Sequence, residues 1–380
     1  MLLKNAVVYG PDFEPVRMDV RTAGERLADM GEKLEDGEAL DLAGCTLIPG
    51  FIDIHIHGCA GADTGDATPE ALETMSAHLA SCGVTSFCPT SMTLPNEELE
   101  RIFANVAACK DRLSGAYIHG VNMEGPYIAL ARKGAQNGAY VRNPDADEFF
   151  MLYNGCGGNI RLVDIAPELP GAEEFVRRVQ PVCPVSIAHT AAGYEEATAA
   201  MDWGVRHATH LYNAMNGLSH REPGVVGAVF DRAGREGVRG ELICDGFHIH
   251  PAALRIAFRA LGEDNAVVVS DSMRAAGYRD GEYQLGGQAV TVSDGKARLA
   301  DGTIAASTTN MYEEFCNLLR FGIPFRQAVK ATSLNPARAI RAEGDTGSIA
   351  VGKAADLVVL DGDNRLRLVM VKGRVMVNNL

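Results

Sequence analysis

Hydrophobic positions follow two different rhythms along the chain. In the first fifty residues, apolar and polar side chains alternate in short runs, "LLKNAVVYG", "MDVRTAGERLADMG" and "ALDLAGCTLIPG", with Gly and Asp between them. A period of two broken by turn residues predicts short strands. The closing stretch, "KAADLVVLDGDNRLRLVMVKGRVMVNNL", has the same rhythm. Chain ends often lie close together, so these pieces are expected to pair into one small β domain drawn from residues 1–50 and 345–380.

The middle of the chain reads differently. Short apolar runs end in polar residues and give way to helical stretches. The runs include "GVTSFCPTS", "IHGVNMEGP", "RLVDIAPE", "PVSIAHT", "GVRHATHLYNAM", "GELICDGFHIHP" and "NAVVVSDSM"; "TPEALETMSAHLASCG" and "YEEATAAMDWG" read as helices between them. Alternating β and α units predict a parallel sheet with helices outside. Roughly seven or eight such units over residues 51–344 favour a closed (β/α)₈ TIM-type barrel over an open sheet. The stretch 281–305 reads as a β excursion, before a last helical part beginning near Ser307.

Composition narrows the function. Of 380 residues, 47% are hydrophobic and 22% charged, enough for a sizeable core and unlike a disordered chain. The net charge of −14 argues against nucleic acid and against an anionic membrane surface as partners. It leaves a small anionic substrate open, because a local basic cluster can outweigh the global balance. The nine cysteines form no CxxC pair and read as buried free thiols in a reducing cytosol. "MLLKNAVVYG" reads as a strand rather than a signal peptide, and no apolar run reaches membrane-span length. A cytoplasmic location is the expectation.

Candidate chemistry sits at the ends of the predicted strands. In "PGFIDIHIHG", His55 and His57 are two residues apart, so a strand points both to one side. Glu124 ends "IHGVNME", His189 ends "PVSIAH", His210 ends "RHATH", and Asp271 ends "AVVVSD". A barrel gathers such residues at one mouth. Imidazoles and carboxylates are ordinary ligands of Zn²⁺ and Fe²⁺. Such an ion lowers the pKa of bound water to about 7, and Asp271 is placed to take that proton and pass it to a leaving group. Metal, water and a nearby carboxylate describe a hydrolase. A lone strand histidine is more often a hydrogen-bonded core residue, and His78, His119 and His207 are read that way.

Longer motifs carry a resemblance. "MEGPYIALARKGAQN", "THLYNAMNGLSHREPGVVGAVF", "CDGFHIHP" and "VVSDSMRAAG", with the closing "ATSLNPARAI…GSIAVGKAADLVVLD", resemble the amidohydrolase superfamily and, within it, the N-acetylglucosamine-6-phosphate deacetylases, over essentially the whole length. That resemblance implies a metal-dependent barrel with a small β-sandwich built from both chain ends, and a homodimer. It implies Glu124, His189 and His210 as the shared metal site, with His55 and His57 offering a second ion bridged by Glu124, hence one or two ions, zinc first and iron second. It implies Asp271 as general base and acid. Asn213 and the Ala214 backbone fall near a sugar phosphate, and Arg221 and His248 match phosphate contacts contributed by the partner subunit. Gln136 stands where some relatives carry a histidine that contacts the acetyl-sugar; glutamine can donate a hydrogen bond but cannot become cationic. The implied reaction is deacetylation of N-acetylglucosamine 6-phosphate. Two rival readings fit less well. A cyclic-amide hydrolase or aminoacylase with a bridging modified lysine fits poorly, because that strand end carries Glu124. A non-catalytic sugar-phosphate sensor predicts a lost ligand or a lost Asp271, and none is lost.

Overall fold

The computed structural model describes residues 1–35 and 37–380. Its centre is a barrel of eight parallel strands: Phe51–Ile56, Val84–Pro89, a third in two pieces (Tyr117–Ile118 and Val121–Met123), Ile160–Ile165, Val185–Ile187, His207–Ala208, Arg239–Leu242 and Ala266–Val268. Neighbours pair in parallel around the ring, with a Thr90–Asn122 bridge joining the second strand to the third. The ring closes where the Asp271 N–H donates to the His55 carbonyl at 2.9 Å. Every residue of the first two strands is buried, as expected where helices cover the outside and side chains fill the inside.

A helix follows each of the first seven strands: Pro69–Ser81, Asn96–Cys109, Ala146–Gly155, Ala172–Val179, Tyr194–Trp203, Gly224–Glu236 and Pro251–Asn265. Their starts are written locally. In "TPEAL" the Thr68 hydroxyl accepts the Ala71 N–H while Pro69 takes the first helical position, where its missing donor costs nothing. After the eighth strand the expected β excursion appears as a four-stranded antiparallel sheet, Gly281–Leu285, Gln288–Ser293, Lys296–Arg298 and Ile304–Ala306. Helices Met311–Arg320, Phe325–Thr332 and Leu334–Ala339 complete the barrel's shell.

The two ends of the chain meet in one mixed sheet of eight strands. Thr46–Pro49 from the N-terminal part pairs antiparallel with Leu357–Leu360 from the C-terminal part, Leu47 opposite Val359. Leu3, Val8, Val20, Leu47, Leu357 and Val359 share a buried cluster separate from the barrel's. The sheet is a continuous hydrogen-bonded path, and its Arg26–Gly31 strand turns back so that Leu27 exchanges backbone hydrogen bonds with Lys353 and Gly352.

Candidate active site

The strand ends deliver their polar residues to one place. His55 is the last residue but one of the first strand and His57 follows it, Glu124 follows the third, His189 the fifth, His210 the sixth and Asp271 the eighth. His189, His210 and Asp271 all have positive φ, +41°, +30° and +46°. Non-glycine residues rarely adopt that conformation, and it costs about 1–3 kcal/mol each. Here it turns the chain sharply as each strand stops, above the barrel mouth.

All four imidazoles bring Nε2 to the two carboxylates. Glu124 Oε1 lies 3.0 Å from His189 Nε2 and 3.1 Å from His210 Nε2; its Oε2 lies 3.2 Å from His57 Nε2. Asp271 Oδ1 lies 3.3 Å from His57 Nε2 and 3.6 Å from His55 Nε2. The donor atoms of His55, His57 and Asp271, and those of Glu124, His189 and His210, form two compact buried triads.

The opposite ring nitrogens explain the aim. His55 Nδ1 meets Glu241 Oε2 at 3.0 Å, His57 Nδ1 the Thr90 carbonyl at 3.3 Å, and His189 Nδ1 the Arg132 carbonyl at 2.8 Å. When Nδ1–H donates outward, the Nε2 lone pair is left facing the centre, the usual arrangement behind a metal-ligating histidine. Two observations fit a cation at that centre. His189 Nε2 and His210 Nε2 stand only 3.2 Å apart, and two lone pairs at that separation need a proton or a cation between them. His55 Nε2 is buried with no hydrogen-bond partner among the described residues. The nitrogen and oxygen donors suit a borderline divalent ion such as zinc or iron.

Electrostatics agree. Burial alone would lower His57, but hydrogen bonds to Asp271 and Glu124 raise its pKa to about 10. Burial would raise Glu124, and the imidazoles around it hold it well below the usual carboxylate range. Asp271 is lowered in the same way by His55 and His57. Four lone-pair donors beside two ionised acids make a site that holds positive charge, as protons or as metal.

Above this floor opens a cavity of about 380 Å³. His57, Glu124, His189, His210 and Asp271 line it, and His55 sits beneath them, fully buried. Gln136 lines it too, but its side chain is spent on the floor: Nε2 donates to Glu124 Oε2 and Oε1 accepts the Thr93 N–H, each at 2.6 Å. Asn213, Ala214 and His248 form part of the wall. Ala214 has φ +52°, and its carbonyl accepts the Thr190 N–H at 3.1 Å. His248 stands in its own chain's wall, with Nδ1 2.6 Å from Asp245 Oδ2, whereas the resemblance implied a contact offered across subunits. Arg221 is exposed and is not brought to this cavity.

Sequence reasoning missed several contributors. Glu241 is fully buried and bonds both His55 and His207, and its Oε2 also accepts the His210 N–H at 3.2 Å. It lies inside the apolar-looking run "GELICD", where only its being a lone acid in a barrel strand could have marked it. Thr303, Ile304 and Ala305 bring the β excursion over the cavity; that excursion was expected, but not its use. His207 and His119 behave as the hydrogen-bonded histidines they were read to be, His207 on Glu241 at 2.9 Å and His119 on Ser86 Oγ at 3.0 Å. All nine cysteines are free thiols. Among the described residues, no helix is long and apolar enough to cross a membrane.

Comparison with known proteins adds kinship to this geometry. A N-acetylglucosamine-6-phosphate deacetylase of Bacillus subtilis (strain 168) is 38% identical over 339 residues, 88% of this chain and 85% of that protein. A N-acetylgalactosamine-6-phosphate deacetylase of Escherichia coli O157:H7 is 35% identical over 334 residues, 87% of each chain. Among solved structures, the N-acetyl-D-glucosamine-6-phosphate deacetylase of Mycobacterium smegmatis, an aspartate-to-alanine mutant in complex with N-acetyl-D-glucosamine-6-phosphate, superposes with a TM-score of 0.93 at 32% identity, covering 100% of this chain and 99% of that one. Residues 46–376 match the amidohydrolase family, and with the barrel and its histidine–carboxylate mouth now described, the chain belongs to that family.

Proposed function

We propose that this chain hydrolyses the acetamide of N-acetyl-D-glucosamine 6-phosphate, giving D-glucosamine 6-phosphate and acetate in amino-sugar metabolism. The observation that carries the reading is the convergence of four imidazole Nε2 atoms, Glu124 and Asp271 beneath one cavity, in a chain whose relatives bear that activity in their names. A divalent ion held by Glu124, His189 and His210, with His55 and His57 available for a second, supplies Lewis-acid polarisation of the amide carbonyl and of water; zinc is our first choice and iron the alternative. Asp271 accepts the proton of the attacking water at its carboxylate and delivers it to the departing amine. Both steps suit a base held ionised by neighbouring imidazoles and still facing the cavity. Gln136 fixes Glu124 through its amide and closes the floor beside the acetyl group. Asn213, the Ala214 backbone and His248 hold the sugar phosphate from the wall. Arg221, whose planar fork suits phosphate, reaches a neighbouring copy's site in a homodimer. We further read residues 51–344 as the catalytic domain and residues 1–50 with 345–380 as a small β-sandwich domain, which the separate buried cluster of the terminal sheet supports.

The test compares acetate release from N-acetylglucosamine 6-phosphate, N-acetylgalactosamine 6-phosphate and unphosphorylated N-acetylglucosamine by metal-loaded protein. The expected order puts the first far ahead of the third, because remote phosphate binding positions the amide. The galactosamine epimer belongs in the panel because one relative is named for it. Turnover of none of the three, with metal bound, would overturn the substrate assignment.

A further inference from the structure

At the opposite end of the barrel, the strand starts enclose a second cavity of about 190 Å³. Val185, His207 and Arg239 begin or open the fifth, sixth and seventh strands, and all three line it. Arg206, Arg338 and Arg341 join them, so four arginines and one histidine surround a small space in a chain of net charge −14, and no Asp or Glu among the described residues lines it.

Three of the arginines are engaged. Arg338 pairs with Asp264 at 2.8 Å; Arg341 donates to the Gln180 and Pro181 carbonyls; Arg206 donates to the Met201 and Val205 carbonyls and stands 3.9 Å from Glu236. Arg239 is different. Its Nε is buried without a partner, and its guanidinium forms no hydrogen bond or ion pair with any described residue. Burial, and then the charge of Arg338, lower its pKa. An unpaired, largely enclosed cation is expensive, and natural chains pair or hydrate such groups.

The imidazole supplies a second, independent sign. His207 lines this cavity and is 3% exposed, and its Nδ1 is buried with no partner among the described residues. Its Nε2 sits 2.9 Å from Glu241 Oε1, which fixes the ring; with Nε2–H donating there, Nδ1 is left as an acceptor. The cavity therefore offers guanidinium donors and one buried acceptor. A hydrogen-phosphate group matches both, since its oxygens accept from guanidinium forks and its P–OH can donate to Nδ1. The space is half that of the catalytic cavity, enough for a phosphoryl group and little else.

We infer that this basal cavity is a binding site for a phosphate group, distinct from the catalytic mouth, with Arg239 and His207 as its principal contacts. The inference stands on this cavity alone and does not depend on the reaction proposed for the mouth. It is tested by calorimetric titration of metal-loaded, full-length protein with inorganic phosphate, for wild type, Arg239→Met and Arg338→Met. Wild type should bind one more equivalent than Arg239→Met, or bind that equivalent at least tenfold tighter, and Arg338→Met should weaken the same equivalent. Without phosphate, Arg239→Met should melt no lower than wild type, because the substitution removes an unpaired cation. Phosphate should raise the wild-type melting temperature by more than it raises the variant's. Methyl phosphate separates the sources: loss of its binding in Arg239→Met assigns the phosphoryl group of a larger metabolite, whereas binding of inorganic phosphate alone assigns the free ion. Unchanged stoichiometry and affinity in both variants would overturn the site. Should Arg239→Met fail to fold, Arg338→Met carries the decision.

Discussion

His57 and His119 are the same residue in opposite surroundings. His57 lies at the barrel mouth with Asp271 and Glu124 within 3.3 Å of its Nε2. His119 lies in the break between the two pieces of the third strand and bonds only the Ser86 hydroxyl through Nε2. Burial disfavours the charged form of both. At His57 the carboxylates overcome it and raise the pKa to about 10; at His119 burial is reinforced by Arg161 and the pKa falls to about 3. Enclosure by itself makes a histidine a neutral packing group. Converging acids make it a holder of positive charge, and a site that would hold a proton that firmly offers a divalent ion the same lone pair.

The largest expected effect comes from removing the acid that faces the cavity. Asp271→Asn keeps the shape and removes the proton acceptor, so acetate release should fall by about 10²–10⁴-fold. Metal content decides how the loss is read. Asp271 shares a triad with His55 and His57, while Glu124, His189 and His210 form the other. Retention of the ion in the second triad, measured by elemental analysis, fits the acid–base role; a protein stripped of all metal would make Asp271 chiefly a ligand.

A smaller effect should follow from the acid behind the ligands. Glu241 takes no part in either triad, yet it holds His55 by its Nδ1 and His210 by its backbone N–H. Glu241→Gln should weaken metal binding by about 10–100-fold, as outer-shell partners of ligating histidines usually do, and added metal should restore much of the activity. Activity that stays low at saturating metal would show that Glu241 acts on more than ligand orientation.

These two substitutions also mark where the sequence was legible. His55 and His57 were readable because a regular strand imposes a period of two, and spacing alone puts them on one side. The barrel was readable because its βα units alternate in a plain rhythm, and the terminal strands because they repeat another. Glu124, His189, His210 and Asp271 were visible as polar residues closing apolar runs, but their mutual approach depends on three left-handed turns that no periodicity announces. Their roles came from motif resemblance. Glu241 was illegible because its signal is a partner 186 residues away in sequence, His55. Gln136 was expected to contact the acetyl-sugar; it lines the cavity, and no sequence pattern announced that its side chain bonds Glu124, the Thr93 backbone and the Met92 sulfur. The cavity at the barrel base left no motif, because its arginines come from three separate segments.

The smallest effect sharpens the comparison from the other side. His119 is half-buried, and its folded-state pKa, about 3, lies below the 6.5 expected unfolded. Below pH 6.5 the unfolded chain therefore binds a proton that the folded chain refuses, and stability falls as pH falls through this window, continuing until pH approaches 3. Between pH 7 and pH 5 this group should remove about 1–2 kcal/mol, the lower end because water reaches part of the ring. His119→Gln keeps a donor for the Ser86 hydroxyl and cannot titrate. Urea midpoints of wild type and variant at both pH values isolate the effect, because every other titrating group, metal ligands included, is common to both proteins. The wild type should lose more stability on acidification than the variant by that amount. Equal losses would mean that His119 is protonated as readily inside the fold as outside it, and that the contrast with His57 rests on the mouth's carboxylates alone.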